Sequence, residues 1–163
     1  MQEKHEVIKE RLRFVRERMK TENVDIFVVF TDDYHMSEYS GAYFADREYL
    51  SGFTGSAGTL AVTQGNRRTG GTHPGLLFPP PELSNRKRYF HPQRTGKSPL
   101  PKRCGRVPAP ILNPESSLGV LGMDARTCAA QTGMEWIKLT EACGGRIKGD
   151  FMPVQELWKD RPA

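Results

Sequence analysis

Arg47-Glu48-Tyr49-Leu50-Ser51-Gly52-Phe53-Thr54-Gly55-Ser56-Ala57-Gly58-Thr59 places three glycines within seven residues, beside one aromatic and ahead of an apolar run. Glycine is used where the backbone takes positive φ or passes close to another group. The stretch therefore predicts a shaped loop rather than a linker. Thr59-Leu60-Ala61-Val62-Thr63 then reads as a strand entered from that loop. Two common chemistries are excluded. A nucleophile elbow reads Gly-x-Ser-x-Gly between a strand and a helix; here Thr54 takes the first glycine's place and a strand follows Ser56. A phosphate-cradling loop ends in Lys-Ser or Lys-Thr and opens a helix, and this loop does neither. What remains is a tight packing turn.

Upstream, Ile8, Leu12, Val15 and Met19 follow helical spacing, with charged residues on the other face. Asn23 is placed to end that helix. Asp25-Ile26-Phe27-Val28-Val29-Phe30 reads as a strand buried on both faces. Thr31-Asp32-Asp33 is a polar turn at its carboxyl edge, and His35-Met36-Ser37-Glu38-Tyr39 follows. Far downstream, Leu118 to Asp124 reads as another strand. Thr127 or Thr132 is placed to cap a helix whose apolar residues are Met134, Ile137, Leu139 and Cys143, closed by Gly144-Gly145. A short strand is expected between Ile147 and Val154. Tyr39 and Phe53 are expected as core or interface aromatics.

Residues 64–117 differ in kind. They carry ten Lys/Arg against two Asp/Glu, and ten of the twelve prolines. The rest of the chain holds fourteen basic and seventeen acidic residues, so the net charge of +5 belongs to this one segment. Its Pro-Pro-Pro and Gly-Gly breaks and its lack of either period predict no packed structure. Arg86-Lys87-Arg88-Tyr89-Phe90-His91 has the composition of a phosphate-binding arm. An unselected segment interrupting a domain is the stronger reading, so nucleic acid is not expected as a partner.

Length and composition bound the rest. A chain of 163 residues suffices for one domain with a core, at 37% hydrophobic residues and a mean hydropathy of −0.59. No apolar run approaches the ~20 residues that cross a bilayer, and the first residues form a charged amphipathic segment. A cytoplasmic protein with no membrane partner is expected. Cys104, Cys128 and Cys143 show no metal-site spacing and read as reduced thiols. His35, Glu38 and Asp46 likewise fit no metal-site spacing.

Taken in order, these elements resemble the N-terminal domain of Xaa-Pro aminopeptidases (aminopeptidase P, of the creatinase/prolidase group). The resemblance rests on the His-x-Ser-Glu-Tyr element, Arg47, the Ser-Gly-Phe-x-Gly-Ser-Ala-Gly loop, Gly122-Met123-Asp124 and the terminal Trp158-Lys159-Asp160-Arg161-Pro162. It covers residues 6–63 and 118–163. It implies an α/β fold of creatinase N-terminal, ribonuclease H-like type: a mixed sheet flanked by helices, with an irregular middle, in one domain over residues 1–163. It further implies that the family's two divalent metal ions, Mn or similar, lie in a separate catalytic domain absent from this chain. No cofactor, metal or catalytic residue is then expected here, and no peptidase activity from this chain alone. The expected role is a non-catalytic one, shaping the substrate cleft and oligomer contacts, with a homo-oligomer possible. His35, Glu38, Arg47, Gly52, Phe53, Gly55, Ser56 and Gly58 are the structural or cleft-shaping residues, with His35 and Glu38 bonded to the glycine loop. The alternative is an α/β binding module with a basic, Pro-rich arm for nucleic acid or acidic partners.

Between the flanks, the family's Trp-Thr-Asp-Gly-Arg-Tyr-Phe-like element is missing, although the gap has about the family's length. Arg67 and Arg68 lack its flanking pattern and inherit no role. Right length with wrong residues is what a shifted and later restored reading frame produces. Translating the underlying DNA in its other two frames tests this; no Asp-Gly-Arg-Tyr-like stretch in either frame marks the middle as genuine.

Overall fold

The structure, a computed structural model, describes residues 2–37, 39–55, 58–64, 76–78 and 119–163. Helix α1 (Gln2–Thr21) leads into strand β1 (Ile26–Val29). A 3-10 turn at Ala42–Phe44 precedes the short helix α2 (Asp46–Ser51). Strands β2 (Thr59–Thr63), β3 (Leu76–Phe78) and β4 (Val120–Met123) follow. Helix α3 (Ala130–Ala142), strand β5 (Arg146–Lys148) and helix α4 (Pro153–Leu157) complete the order.

The five strands form one mixed sheet in the order β3-β2-β1-β4-β5. β1 pairs antiparallel with β2, placing Phe27 opposite Val62, and parallel with β4, placing Phe27 beside Gly122. β3 pairs antiparallel with β2, and β5 parallel with β4. The α/β fold expected from the resemblance, a mixed sheet flanked by helices, is present. Of residues 64–117, the described ones are Gln64 and Leu76–Phe78. The latter form an edge strand within a segment whose composition predicted none.

Strand alternation divides the core in two. Phe27, Val29, Leu60, Val62 and Val120 face α1, meeting Ile8, Leu12, Val15 and Met19. Each of those helix side chains contributes about 1.5–3 kcal/mol by burial, before the entropy of ordering it. Ile26, Val28, Phe30, Leu121 and Met123 face the opposite way, against Trp136 and Cys143 of the α3 side. All four residues of β1 are buried, which is why its sequence is apolar without alternation. Asn23 ends α1 in the left-handed conformation (φ 55°), a region Asn tolerates better than most residues.

Two expectations are corrected. Helix α3 exists, but Met134, Ile137 and Leu139 are exposed (56%, 44% and 41%); Trp136 and Thr140 carry the buried face, continued by Cys143. Neither Thr127 nor Thr132 caps it: Ala129 precedes the first turn, and the Thr127 hydroxyl donates to the Asp124 carbonyl (2.9 Å). The strand expected between Ile147 and Val154 ends at Lys148. Pro153 then opens α4, since its fixed φ suits the first helical position and its missing N–H costs nothing there.

Candidate functional site

The glycine loop is built from α2 outward. Asp46 and Glu48 lie in the first turn of α2, where carboxylates complement the helix dipole. Gly52 ends the helix, its N–H donating to the Glu48 carbonyl (2.7 Å). The Ser51 hydroxyl donates to the Arg47 carbonyl (2.6 Å) and accepts the Phe53 N–H (3.2 Å), which turns the chain into the loop.

Arg47 is 6% exposed. Its guanidinium lies over the Phe53 ring, 5.2 Å from the centroid, and one amino group donates to the Gly55 carbonyl. Burial lowers its pKa, although a guanidinium remains charged. The Phe53 ring folds so closely over Gly55 that a Cβ there would strike the ring carbons. At the loop's far end the Thr31 hydroxyl donates to the Gly58 carbonyl and accepts the Gly58 N–H (3.1 Å). The loop thus packs between α2 and the end of β1.

Gly52, Phe53, Gly55, Gly58 and Arg47 are brought together; Glu38 and Ser56 lie outside the described residues. His35 is exposed, and its backbone N–H donates to the Asp33 carboxylate (2.8 Å). Among the described residues the side-chain hydrogen bonds into the loop come from Thr31, Arg47 and Ser51, not from His35. Thr31 was read only as part of a turn; its position directly after a buried strand was the available signal. The Ser37 backbone N–H (3.0 Å), the Ser37 hydroxyl and the His35 N–H hold the Asp33 carboxyl below the usual carboxylate range. This carboxylate shapes a turn that leaves Tyr39 85% exposed. Tyr39 is therefore not a core residue of this domain. Phe53 is partly buried against the α1 side of the core, as expected.

A cleft opens at the carboxyl ends of β1 and β4, where open α/β sheets commonly place functional groups. Tyr34, Tyr43, Asp46, Asp124 and Arg161 line it. Arg161 forms an ion pair with Asp46 (2.6 Å) and donates to the Tyr43 carbonyl (2.8 Å). Burial pushes the Asp46 carboxyl up to about 6, against the opposing pull of Arg161; the Asp124 charge adds to the rise. The folded domain therefore holds this proton more tightly than the unfolded chain does. The contribution of Asp46 favours folding below about pH 4 and is lost as pH rises through about 6. Urea titrations at a series of pH values are expected to show a smaller loss of stability from pH 4 to 6 in Asp46→Asn than in the parent. Equal losses would refute the assignment.

The Cys128 thiol is pushed up to about 11 by burial and by the Asp32 charge, so it is not an activated nucleophile. Among the described residues, no three His, Cys, Asp or Glu side chains are placed to hold a metal ion. No described helix is long and apolar enough to cross a membrane.

Residues 11–73 match the Creatinase/Prolidase N-terminal domain family. A probable Xaa-Pro aminopeptidase P of Tuber melanosporum is 56% identical over 54 residues, 33% of this chain and 9% of that protein. Xaa-Pro aminopeptidase 2 of Mus musculus is 49% identical over 55 residues, 34% of this chain and 8% of that protein. The stretches matched are thus less than a tenth of these relatives. Among solved structures, X-prolyl aminopeptidase from Caenorhabditis elegans superposes with a TM-score of 0.69 at 23% identity, over 96% of this chain and 26% of that one. At that identity the likeness establishes the fold. Residues 11–73 are thus similar to a creatinase/prolidase N-terminal domain, and about a third of the chain is similar to part of Xaa-Pro aminopeptidases.

Proposed function

We propose that this chain is a non-catalytic lobe of an Xaa-Pro aminopeptidase-like metallopeptidase, which removes an N-terminal residue before proline. The lobe walls the substrate cleft and contributes oligomer contacts. The observation that carries the reading is the glycine loop, clamped by Arg47 and Thr31, within residues that match the creatinase/prolidase family. The relatives named above as Xaa-Pro aminopeptidases support the substrate class.

The worm protein is described as a cytosolic enzyme with a di-nuclear active site. In this reading two divalent ions, Mn²⁺ or similar, are held by a catalytic domain other than the one described, and the protein works in the cytoplasm. The described residues do not fit such a centre, because no group of carboxylates and imidazoles converges among them. No chemical step is assigned to them. Purified chain incubated with Mn²⁺ and an X-Pro-Pro peptide is expected to release no more product than a metal-free control. Metal-dependent turnover would overturn the proposed role.

A further inference from the structure

Strands β1 and β4 lie side by side and parallel, yet the chain leaves them in opposite directions. From β1 it turns to β2 on one side; from β4 it passes through α3 to β5 on the other. The carboxyl ends of such a pair diverge and leave a crevice, where open α/β sheets commonly bind their ligands. The cleft described above occupies this point, with Phe30 and Asp32 from the β1 end and Asp124 from the β4 end. Its cavity volume is about 30 Å³, room for about two water molecules or one small head group.

The charges around the cleft do not balance. Asp46 is matched by Arg161 (2.6 Å) and Asp124 by Arg126 (2.8 Å). The Asp33 carboxylate, next along the chain, accepts the His35 and Ser37 N–H groups (2.8 and 3.0 Å). Among the described residues no cation or hydrogen-bond donor offsets the Asp32 carboxylate, and burial and the Asp33 charge raise its pKa. A cation beside Asp32 relieves that cost.

The aromatic wall suits the same charge. Tyr34, Phe44 and Tyr43 meet edge-on along the cleft. Two of these rings lie under cations of the chain itself, Tyr34 under Arg126 (4.5 Å) and Tyr43 under Arg161 (4.8 Å), as the electron-rich face of a ring favours. A divalent metal ion is a poorer match, because it needs several oxygen ligands and no three His, Cys, Asp or Glu side chains converge among the described residues. A bulky quaternary cation exceeds the volume. A primary ammonium meets each limit: one charge, three N–H donors and a head of a single heavy atom.

We propose that the crevice between β1 and β4 is a binding site for a primary ammonium group, held by the Asp32 carboxylate beside the wall of Tyr34 and Phe44. The carbon stem of the ligand leads out past Tyr34, which is 37% exposed. The ammonium belongs to a free amine or to a lysine side chain.

Nitrogen-15-labelled chain titrated at constant ionic strength with n-butylammonium chloride, and separately with Nα-acetyl-lysine amide, reports binding through its amide shifts. Saturating shifts in the millimolar range are expected at the carboxyl ends of β1 and β4, and the tighter probe names the source. Asp32→Asn and Asp32→Ser are each expected to weaken binding about tenfold or more, the effect of losing a charged hydrogen bond. An otherwise unchanged amide spectrum checks that both variants fold. Tetramethylammonium and Mg²⁺ are expected to give no saturating shifts there. Butylammonium shifts that are absent, that grow without saturating, that survive the loss of Asp32 or that Mg²⁺ reproduces overturn the site.

Discussion

Replacing Phe151 with alanine is expected to cost about 3–5 kcal/mol, the range for deleting a buried aromatic ring. Phe151 is 1% exposed, and its ring meets Phe27 of the central strand edge-on at 5.2 Å. The ring reaches that strand because position 122 has no side chain: a Cβ on Gly122 would lie 2.7 Å from Phe151 and 2.9 Å from Val24. Both neighbours are buried, so neither has room to retreat. Urea unfolding followed by circular dichroism checks the figure. A loss under about 1 kcal/mol would mean that the site collapses around the deleted ring, contrary to the packing described.

Trp136→Ala is expected to cost a similar amount, about 3–5 kcal/mol, on the other face of the sheet. Trp136 is 6% exposed and meets Phe30 edge-on at 6.1 Å. Its neighbours on the same helix provide the contrast. Met134→Ala, Ile137→Ala and Leu139→Ala are expected to change stability by about 0.5 kcal/mol or less, as exposed substitutions do. The ratio between these effects measures how α3 is turned. Comparable losses at Trp136 and Ile137 would contradict the orientation described.

The phase of α3 shows where the sequence was legible and where it was not. Ile8, Leu12, Val15 and Met19 repeat at helical spacing with charges between them, and α1 buries that stripe. The strands at Ile26–Val29 and Val120–Met123 were equally readable, because burial of every position excludes polar residues, and in Thr59–Thr63 the three buried central residues are apolar. In α3 the apolar residues mark no single face, because Ile137 and Leu139, two positions apart, point to opposite sides of the helix. The buried face includes Thr140, a polar residue with no exposed surface, so hydrophobic spacing alone does not select it. Helix α2 was missed because six residues carry less than two turns of pattern, although Asp46, Glu48 and Gly52 are end signals.

The candidate site divides in the same way. The glycine loop was visible because its glycines are close in sequence and meet a local requirement. Its clamps were less visible: Arg47 was singled out through family resemblance, and Thr31 comes from the far side of a long turn. The pairing of Asp46 with Arg161 had no sequence signal, since tertiary contacts between distant charges leave no spacing to read.

The central strand has one partner close behind it and another far away. Asp25 accepts the Val120 N–H across a sequence separation of 95 residues, where β1 meets β4. During synthesis, the antiparallel partner β2 emerges soon after β1, while the opposite edge of β1 waits for residues about 95 positions later to leave the ribosome. Distant parallel pairing is slow to form, and an apolar strand edge left open in the meantime recruits other chains. The order of synthesis thus leaves that edge of β1 open until residues near 120 arrive to cover it.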